Sequence, residues 1–311
     1  MSEYKELETD LGMSSKVLEP QETLSPTSIN SSFNCPRSYF YNSIAKIRVK
    51  PNFHLIKGSI VHEVLENFFK AYAEEFTLNM NKCYEDSMKR HAKEIANLEF
   101  NDDEHKRFKS DIEFMLNEYL ATFSRKVNAL IVSEKAENKS HAWFLLRPKF
   151  REKYVKDEEL HCCGYIDRIS EDFNGVVTIG DYKTSSKYGI GLPEDYKRQL
   201  AIYSLLYQSQ EKIAPHFAGV IFLRYGEEYL VEVTPSLLKY AQDSILEAYA
   251  KTRSTAIKDY PKKEGSLCRW CQYKDICSGK EDWNKAVRAQ RLLKFLKKEV
   301  EDNESKRPEK G

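Results

Sequence analysis

The chain has 311 residues with 49 Lys+Arg, 48 Asp+Glu, a formal net charge of +1, 41% hydrophobic and 12% aromatic side chains. That is too apolar for global disorder and too evenly charged for a generally basic nucleic-acid binder, so any grip on a polyanion must come from a local field. No run approaches the ~18 uninterrupted apolar residues of a membrane-spanning helix, and seven cysteines behind a polar, acidic N-terminus imply reduced thiols in an intracellular, cytoplasmic protein rather than a disulfide framework.

Residues 1–25 are polar and without periodicity, and read as a flexible leader. Order is expected to start just after Pro26, where Thr27, Ser28, Asn30, Ser31 and Ser32 offer helix caps. Residues 58–76 read as an amphipathic helix, with Val61, Val64, Leu65, Phe68, Phe69 and Tyr72 at helical spacing. His62 and Glu66, four apart, fall side by side at the edge of that stripe, where a side chain faces a cleft rim more readily than a core. A highly charged helical insertion spans about 77–140, with Ile112, Met115, Leu116, Tyr119, Leu120, Phe123, Val127 and Leu130 along the inner face of one long helix. Segments near 142–156, 161–170, 176–184, 217–224 and 228–234 read as strands, interrupted by a helix over 194–210 and followed by one over 236–253. Residues 281–311 read as a basic helix and a charged tail, with Lys294, Lys297 and Lys298 outward. The order of elements predicts an α/β fold, a mixed sheet flanked by helices in a single domain over 26–280.

The run HCCGYIDRISEDFNGVVTIGDYKTSSK, residues 161–187, carries the strongest chemical signal. Asn174-Gly175 between two β-rich runs marks a hairpin. Asp181 and Lys183 share a face because the strand period is two. A two-residue loop would pair Phe173 with Val176 and turn Asp167 away from Asp181. A three-residue loop with Gly175 in the left-handed region, or a bulge at Gly180, sets Asp167 opposite Asp181 with Lys183 on the same side. Two carboxylates that close need a positive neutraliser, and Mg²⁺ or Mn²⁺ suits hard oxygen donors. Lys183 could stabilise developing negative charge, with His62 or Glu66 completing the site from the helix. Any one of these patterns alone is commonly a surface ion pair or a solvated strand edge; their combination points to metal-assisted phosphodiester hydrolysis.

Cys268, Cys271 and Cys277 form C-x2-C-x5-C, a spacing that closes around one metal centre at small entropic cost. Cys35, in SSFNCPRSYF, is the candidate fourth thiolate, which would staple N- and C-terminal segments together. Four thiolates suit zinc or an iron–sulfur cluster equally. Cys83, Cys162 and Cys163 have no such spacing and read as small buried hydrophobes.

Taken together, these motifs resemble the RecB-like branch of the PD-(D/E)XK nuclease superfamily, and within it the iron–sulfur members: CRISPR-associated adaptation nucleases, single-strand DNA exonucleases and helicase-linked repair nucleases. SSFNCPRSYFY is similar to the first-cysteine motif with Cys35, GSIVHEVLE to the motif giving a metal-binding His62 followed by Glu66, and GYIDRIS to the segment carrying the metal-binding Asp167. GDYKT resembles the (D/E)-x-K motif with Asp181 and Lys183, and QLAIY the Q-x-x-x-Y motif with Gln199 and Tyr203. The resemblance implies a restriction-endonuclease-like fold and a structural 4Fe–4S cluster on Cys35, Cys268, Cys271 and Cys277. It also implies Mg²⁺ or Mn²⁺ on His62, Asp167, Asp181 and the Tyr182 carbonyl. Arg37, Tyr39, Lys187, Tyr188, Lys197 and Arg198 are candidate contacts to single-stranded DNA. The expected activity is a single-strand-specific DNA exonuclease of repair, recombination or replication. The alternatives are an adaptation nuclease trimming CRISPR spacer precursors, or a catalytically silent DNA-binding subunit working with recombination proteins. A G-x4-G-K-[ST] phosphate loop is not present in the sequence, so a helicase motor is not expected within it.

Overall fold

A computed structural model describes residues 18–47, 49, 52–185 and 191–280, and beyond them 282, 285, 287 and 290. The C-terminal helix with its basic face, Lys187, Tyr188 and residues 1–17 of the expected leader lie outside the described residues. The chain divides into two compact units. One holds 23–30 and 50–249, and the other holds 31–49 and the segment from Ala250 onward, together with residues up to Glu22.

The larger unit starts before Pro26. Leu24 is fully buried and bridges to the sheet, its N–H donating to the His161 carbonyl and its carbonyl accepting from Cys163 N–H. Helix α1 (Pro26–Asn34) opens with a proline at its first position, where the missing N–H costs nothing. Helix α2 (Phe53–Phe68) is capped by Asn52, whose side chain accepts from Leu55 N–H. It starts earlier and stops earlier than the expected 58–76. Asn79 Nδ2 donates to the Phe68 carbonyl at 3.2 Å and so caps the helix from another element. The insertion consists of α3 (Phe76–Arg90), a short turn Ala92–Ala96, α4 (Asp102–Val132) and α5 (Lys139–Leu146). Helix α4 begins with a complete capping box between Asn101 and Glu104. The expected strand near 142 is helix instead. Asn138 caps α5 through His141 N–H, and buried Trp143 packs its ring against Phe69 and Tyr72.

The sheet has five strands in sequence order: β1 (Phe150–Asp157), β2 (Cys162–Glu171), β3 (Val177–Lys183), β4 (Phe217–Phe222) and β5 (Glu227–Glu232). All neighbours are antiparallel except β3 and β4, which run parallel. That parallel step requires a crossover, supplied by α6 (Glu194–Glu211). Helix α7 (Pro235–Lys251) follows the last strand. The insertion helices bury one side of the sheet through a core that includes Val61, Val64, Phe68, Met115, Tyr119, Phe123 and Trp143 with Tyr182 and Ile221. Helix α6 packs against β1 to β4. No helix among the described residues is long and apolar enough to cross a membrane.

The β2–β3 hairpin takes the three-residue form. Asp172 and Val176 close the loop, with Asp172 N–H donating to the Val176 carbonyl at 3.1 Å, and Gly175 sits at φ +77°. Asp172 Oδ1 accepts from both Asn174 and Val176 N–H and locks the turn. Every pair then sums to 348, from Glu171 with Val177 to Arg168 with Gly180.

Gly164, in the GYID run, shows why that position carries no side chain. A Cβ there would lie 3.0 Å from the Tyr203 ring and 3.1 Å from Pro26. Gly164→Ala is expected to lower stability by about 1–3 kcal/mol through overpacking. Thermal melting would show it, and an unchanged Tm would mean Tyr203 and Pro26 yield freely.

Candidate active site

Extending the hairpin register one step beyond Arg168–Gly180 sets Asp167 opposite Asp181. The ladder ends there, and the strands fork. Tyr182 N–H donates to Asp167 Oδ2 at 2.7 Å instead of continuing the ladder. Asp167 and Asp181 are both buried, on the same side of the fork. Arg168, next in sequence, points to the other face, where it meets Ser170 at 2.8 Å and Glu228 at 3.6 Å.

His62 of α2 enters the fork edge-on. Its Nε2 lies 3.0 Å from the Tyr182 carbonyl, to which an N–H there donates, and its Nδ1 lies 3.4 Å from Asp167 Oδ2. Burial pulls the His62 pKa down, but the carboxylates of Asp167, Asp181 and Glu152 outweigh it and raise it to about 9. Protonated, the imidazolium acts as the counter-charge of the acidic cluster.

Lys183 occupies the other flank. Its ammonium is 2.6 Å from Asp181 Oδ2 and donates to Gln199 Oε1 at 2.9 Å, with the Tyr196 ring 4.9 Å away. Burial works against its charge, yet Asp181 and Asp167 hold its pKa above the ordinary lysine value. Gln199 closes the circuit, its Nε2 donating to Asp181 Oδ1 at 2.9 Å and to Tyr203 Oη at 3.4 Å. The four-residue spacing of Gln199 and Tyr203 on α6 thus serves to orient Asp181 and Lys183, since one amide offers an acceptor to the cation and a donor to the carboxylate. Burial, with the nearby acids, raises the Tyr203 phenol pKa, so it remains a neutral group.

Sequence reasoning missed one residue. His62, Glu152 and Asp167 each place a ligand atom within 4.8 Å of the others, a set that could hold a metal ion. Glu152 lies on β1, where the register Arg151–Arg168 and Lys153–Ile166 sets it across from Asp167. Its φ of +46° is a strained conformation for a non-glycine residue, costing about 1–3 kcal/mol and typical of functional positions. Burial first, then the Asp167 charge, raise its pKa to about 7. Glu66, the residue expected beside His62, lies outside this group and pairs with Lys70 at 3.3 Å.

The donor set fits a hard divalent cation. It combines carboxylates from three strands with an imidazole. Asp181 Oδ2 is also buried against the Lys183 ammonium, 2.6 Å away, so this oxygen is held charged at the pocket floor. Burial, countered by Lys183 and reinforced by Asp167, raises the Asp181 pKa to about 6. Asp181, Glu152 and His62 titrate between about 6 and 9, so binding a cation beside them must release protons. Folding alone favours the protonated forms. The two acids, raised above their unfolded values, and His62, raised above 6.5, all contribute stability at low pH that is lost as pH climbs through their folded pKa values. The rise in Tm produced by Mn²⁺ is therefore expected to grow from pH 5.5 to 8.5. A Mn²⁺ effect that shrinks over that range would contradict the assignment of these ligands.

Other candidate DNA contacts fare unequally. Tyr39 is fully buried and stacks on Tyr260, and Arg198 is buried with its guanidinium 2.8 Å from Asn30 Oδ1, so both serve the interior. Arg37 donates to the Tyr260 carbonyl at 2.7 Å, and among the described candidates only Lys197 is exposed, its ammonium 5.6 Å from the Tyr240 ring.

In the smaller unit, Cys35, Cys268, Cys271 and Cys277 line one pocket. All four are free thiols. Burial raises the Cys271 pKa, and the other three cysteines add to it against a backbone hydrogen bond at Tyr273. Gly265 N–H points at Cys268 Sγ, 3.4 Å away. Four sulfurs lining one pocket are a donor set that a soft metal centre would suit. Of the other cysteines, Cys162 is buried as expected, while Cys83 and Cys163 are half-buried.

A mixed sheet that forks to present buried carboxylates beside a lysine, with an imidazole closing the rim, defines the site of a phosphodiester-cleaving hydrolase. A model of the PD-(D/E)XK nuclease superfamily matches residues 23–278, and the chain belongs to that superfamily. No protein of curated function matches the chain. Among solved structures it is similar to a "putative exonuclease" of Eubacterium rectale, at 14% identity and a TM-score of 0.47 over 81% of this chain and 88% of that one. It is also similar to SSO0001, at 16% identity and a TM-score of 0.31 over 89% and 94%.

Proposed function

We propose that this chain is a metal-dependent deoxyribonuclease, specifically an exonuclease acting on single-stranded DNA in repair, recombination or replication, with a structural 4Fe–4S cluster in its smaller unit. The observation that carries the reading is the fork at Asp167 and Asp181, which gathers Glu152, His62, Lys183 and Gln199 into one cluster.

Asp167, Asp181, Glu152 and His62, with the Tyr182 carbonyl beside them, would hold Mg²⁺ or Mn²⁺. The cation supplies charge neutralisation of the phosphodiester and a water acidic enough to attack it. Everything else is the work of the chain. Asp181 and Asp167 are fixed by Gln199 and by Tyr182 N–H, so the acceptors are aimed before substrate arrives. Lys183, held charged by Asp181 and steered by Gln199, places an ammonium where negative charge grows on the phosphoryl oxygens. In its neutral form His62 would offer its imidazole as a ligand.

The test is digestion of single-stranded DNA labelled at the 5′ or the 3′ end, compared with duplex and with circular single strands, in Mn²⁺. Release of labelled mononucleotides from one end of the linear single strand, with the circle intact, is the expected result. Cutting of the circle would make it an endonuclease, and equal digestion of duplex would remove the single-strand preference.

A further inference from the structure

Away from the fork, one surface of the larger unit combines exposed rings with cations. A groove of about 460 Å³ lies between the end of α5 and the β2–β3 turn, with Phe144 and Phe173 on its walls and Arg147 and Lys149 at its rim. Phe173 is 69% and Phe144 50% exposed, and Phe150, at the start of β1, is 40% exposed. Isolated exposed rings are ordinary, but each of these carries a cation. Lys135 stands 5.8 Å from the Phe173 ring, Arg147 4.7 Å from Phe144, and Lys153 4.3 Å from Phe150. The segment 144–156 holds Arg147, Lys149, Arg151, Lys153 and Lys156 against one carboxylate of its own, Glu152; Lys149, Lys153 and Lys156 pair with Glu171, Glu211 and Glu158. The two acids on the groove are internally engaged. Glu171 is paired with Lys149, and Asp172 Oδ1 accepts from two backbone N–H groups of the turn.

We infer that this groove is a second binding site for single-stranded DNA, in which unpaired bases stack on Phe144 and Phe173 while Arg147 and Lys135 neutralise phosphates. The chemistry selects the occupant. An apolar protein surface laid on these rings would have to strip water from the cations beside them, whereas a single strand offers a base face and a phosphate at once. A duplex keeps its bases stacked on one another and offers no face. Position supports the assignment. Phe150 lies two residues from Glu152 along β1, about 7 Å, and Asp172 five residues from Asp167 along β2, about 17 Å, both in the same direction from the fork. A strand of several nucleotides could reach both. The inference rests on the nuclease reading for the identity of the polymer, but it concerns binding, not cleavage.

The experiment measures fluorescence anisotropy of a labelled oligo(dT) 20-mer with the full chain in EDTA, where no metal-dependent cleavage can occur. Phe173→Ala and Phe144→Ala/Phe173→Ala are each expected to raise Kd by at least about 5-fold per ring removed, the lower end of what a lost base–aromatic stack costs. Phe173→Trp is expected to keep wild-type affinity, and Arg147→Gln to reduce the salt slope by roughly 0.7. Phe173 sits on an exposed turn, so its variants should retain the wild-type Tm. Unchanged Kd in the double alanine variant, or equal weakening by Phe173→Trp and Phe173→Ala, would overturn the site. Hydrolysis of a dinucleotide in Mn²⁺ by wild type and by both variants separates the two readings. No cleavage by wild type with ring-dependent binding would sink the nuclease and spare the groove. Equal cleavage by all with ring-independent binding would do the reverse.

Discussion

Lys183→Ala is expected to lower the single-turnover cleavage rate of single-stranded DNA by about 10²–10³-fold, while Mn²⁺ binding persists. The magnitude is what removal of one preorganised donor costs where charge develops in a transition state. Two features of this site argue for the upper end. The ammonium is partly buried and bonded at once to Asp181 and Gln199, so it cannot be replaced by water without reorganising both. Removing it also leaves the buried Asp181 carboxyl without its counter-ion, which raises an already elevated pKa further, so a larger share of Asp181 would be protonated before the cation binds. Lys183→Arg is expected to recover only part of the rate, because a planar guanidinium cannot reproduce a point charge between Asp181 Oδ2 and Gln199 Oε1. Single-turnover kinetics with a parallel calorimetric Mn²⁺ titration would check both halves. Cleavage within 5-fold of wild type would place the chemistry elsewhere.

The parts of this site written in local sequence were legible, and the parts written in tertiary contact were not. Asn174-Gly175 signalled the hairpin because few residues tolerate positive φ, and the requirement that two carboxylates share a face left either a three-residue loop or a bulge at Gly180, of which Asp172 and Gly175 form the first. Lys183 followed from the strand period of two, whereas Gln199 and Tyr203 came from the resemblance of QLAIY to the Q-x-x-x-Y motif, their spacing of four adding only that a helix sets them on one face. Glu152 was hidden for a physical reason. In FREKYVK charges alternate as on a solvated edge strand, and nothing local says that one acid will be turned inward by a left-handed residue. Only the β1–β2 register, fixed over the whole sheet, sets it against Asp167. Helix α2 overran on paper because FFKAYAEEF contains neither glycine nor proline. Its end is imposed by Asn79, a residue of the next helix. Likewise HAWFLL has the composition of a strand, and is made helical by the Asn138 cap and by the aromatic pocket that takes Trp143.

Cys271→Ala is expected to remove the chromophore and the iron of the anaerobically purified protein, and to loosen the smaller unit without unfolding the larger. The smaller unit has a modest core. Tyr39, Phe40 and Tyr260 stack on one side, and Tyr41 packs on Tyr273, whose hydroxyl donates to Asn42 and the Ile47 carbonyl. Segments 31–49 and 250 onward are separated in sequence by residues 50–249 of the larger unit, so a covalent tie from Cys35 to Cys268 would close a very long loop. In the chain-entropy view such a tie is worth about 5 kcal/mol, comparable with the stability of a small domain. Wild type should be brown, with about four irons and four sulfides per chain. In Cys271→Ala, limited proteolysis should cut first within 31–49 or after 250, while the fragment spanning 50–249 resists. Cys83→Ala, which removes a half-buried thiol of the larger unit, should leave iron content and the proteolytic pattern unchanged. A colourless wild type holding one zinc would replace the cluster with a simpler ion. A Cys271→Ala protein with full iron content would mean that the four sulfurs do not form a centre, and that the aromatic contacts alone hold the two segments together.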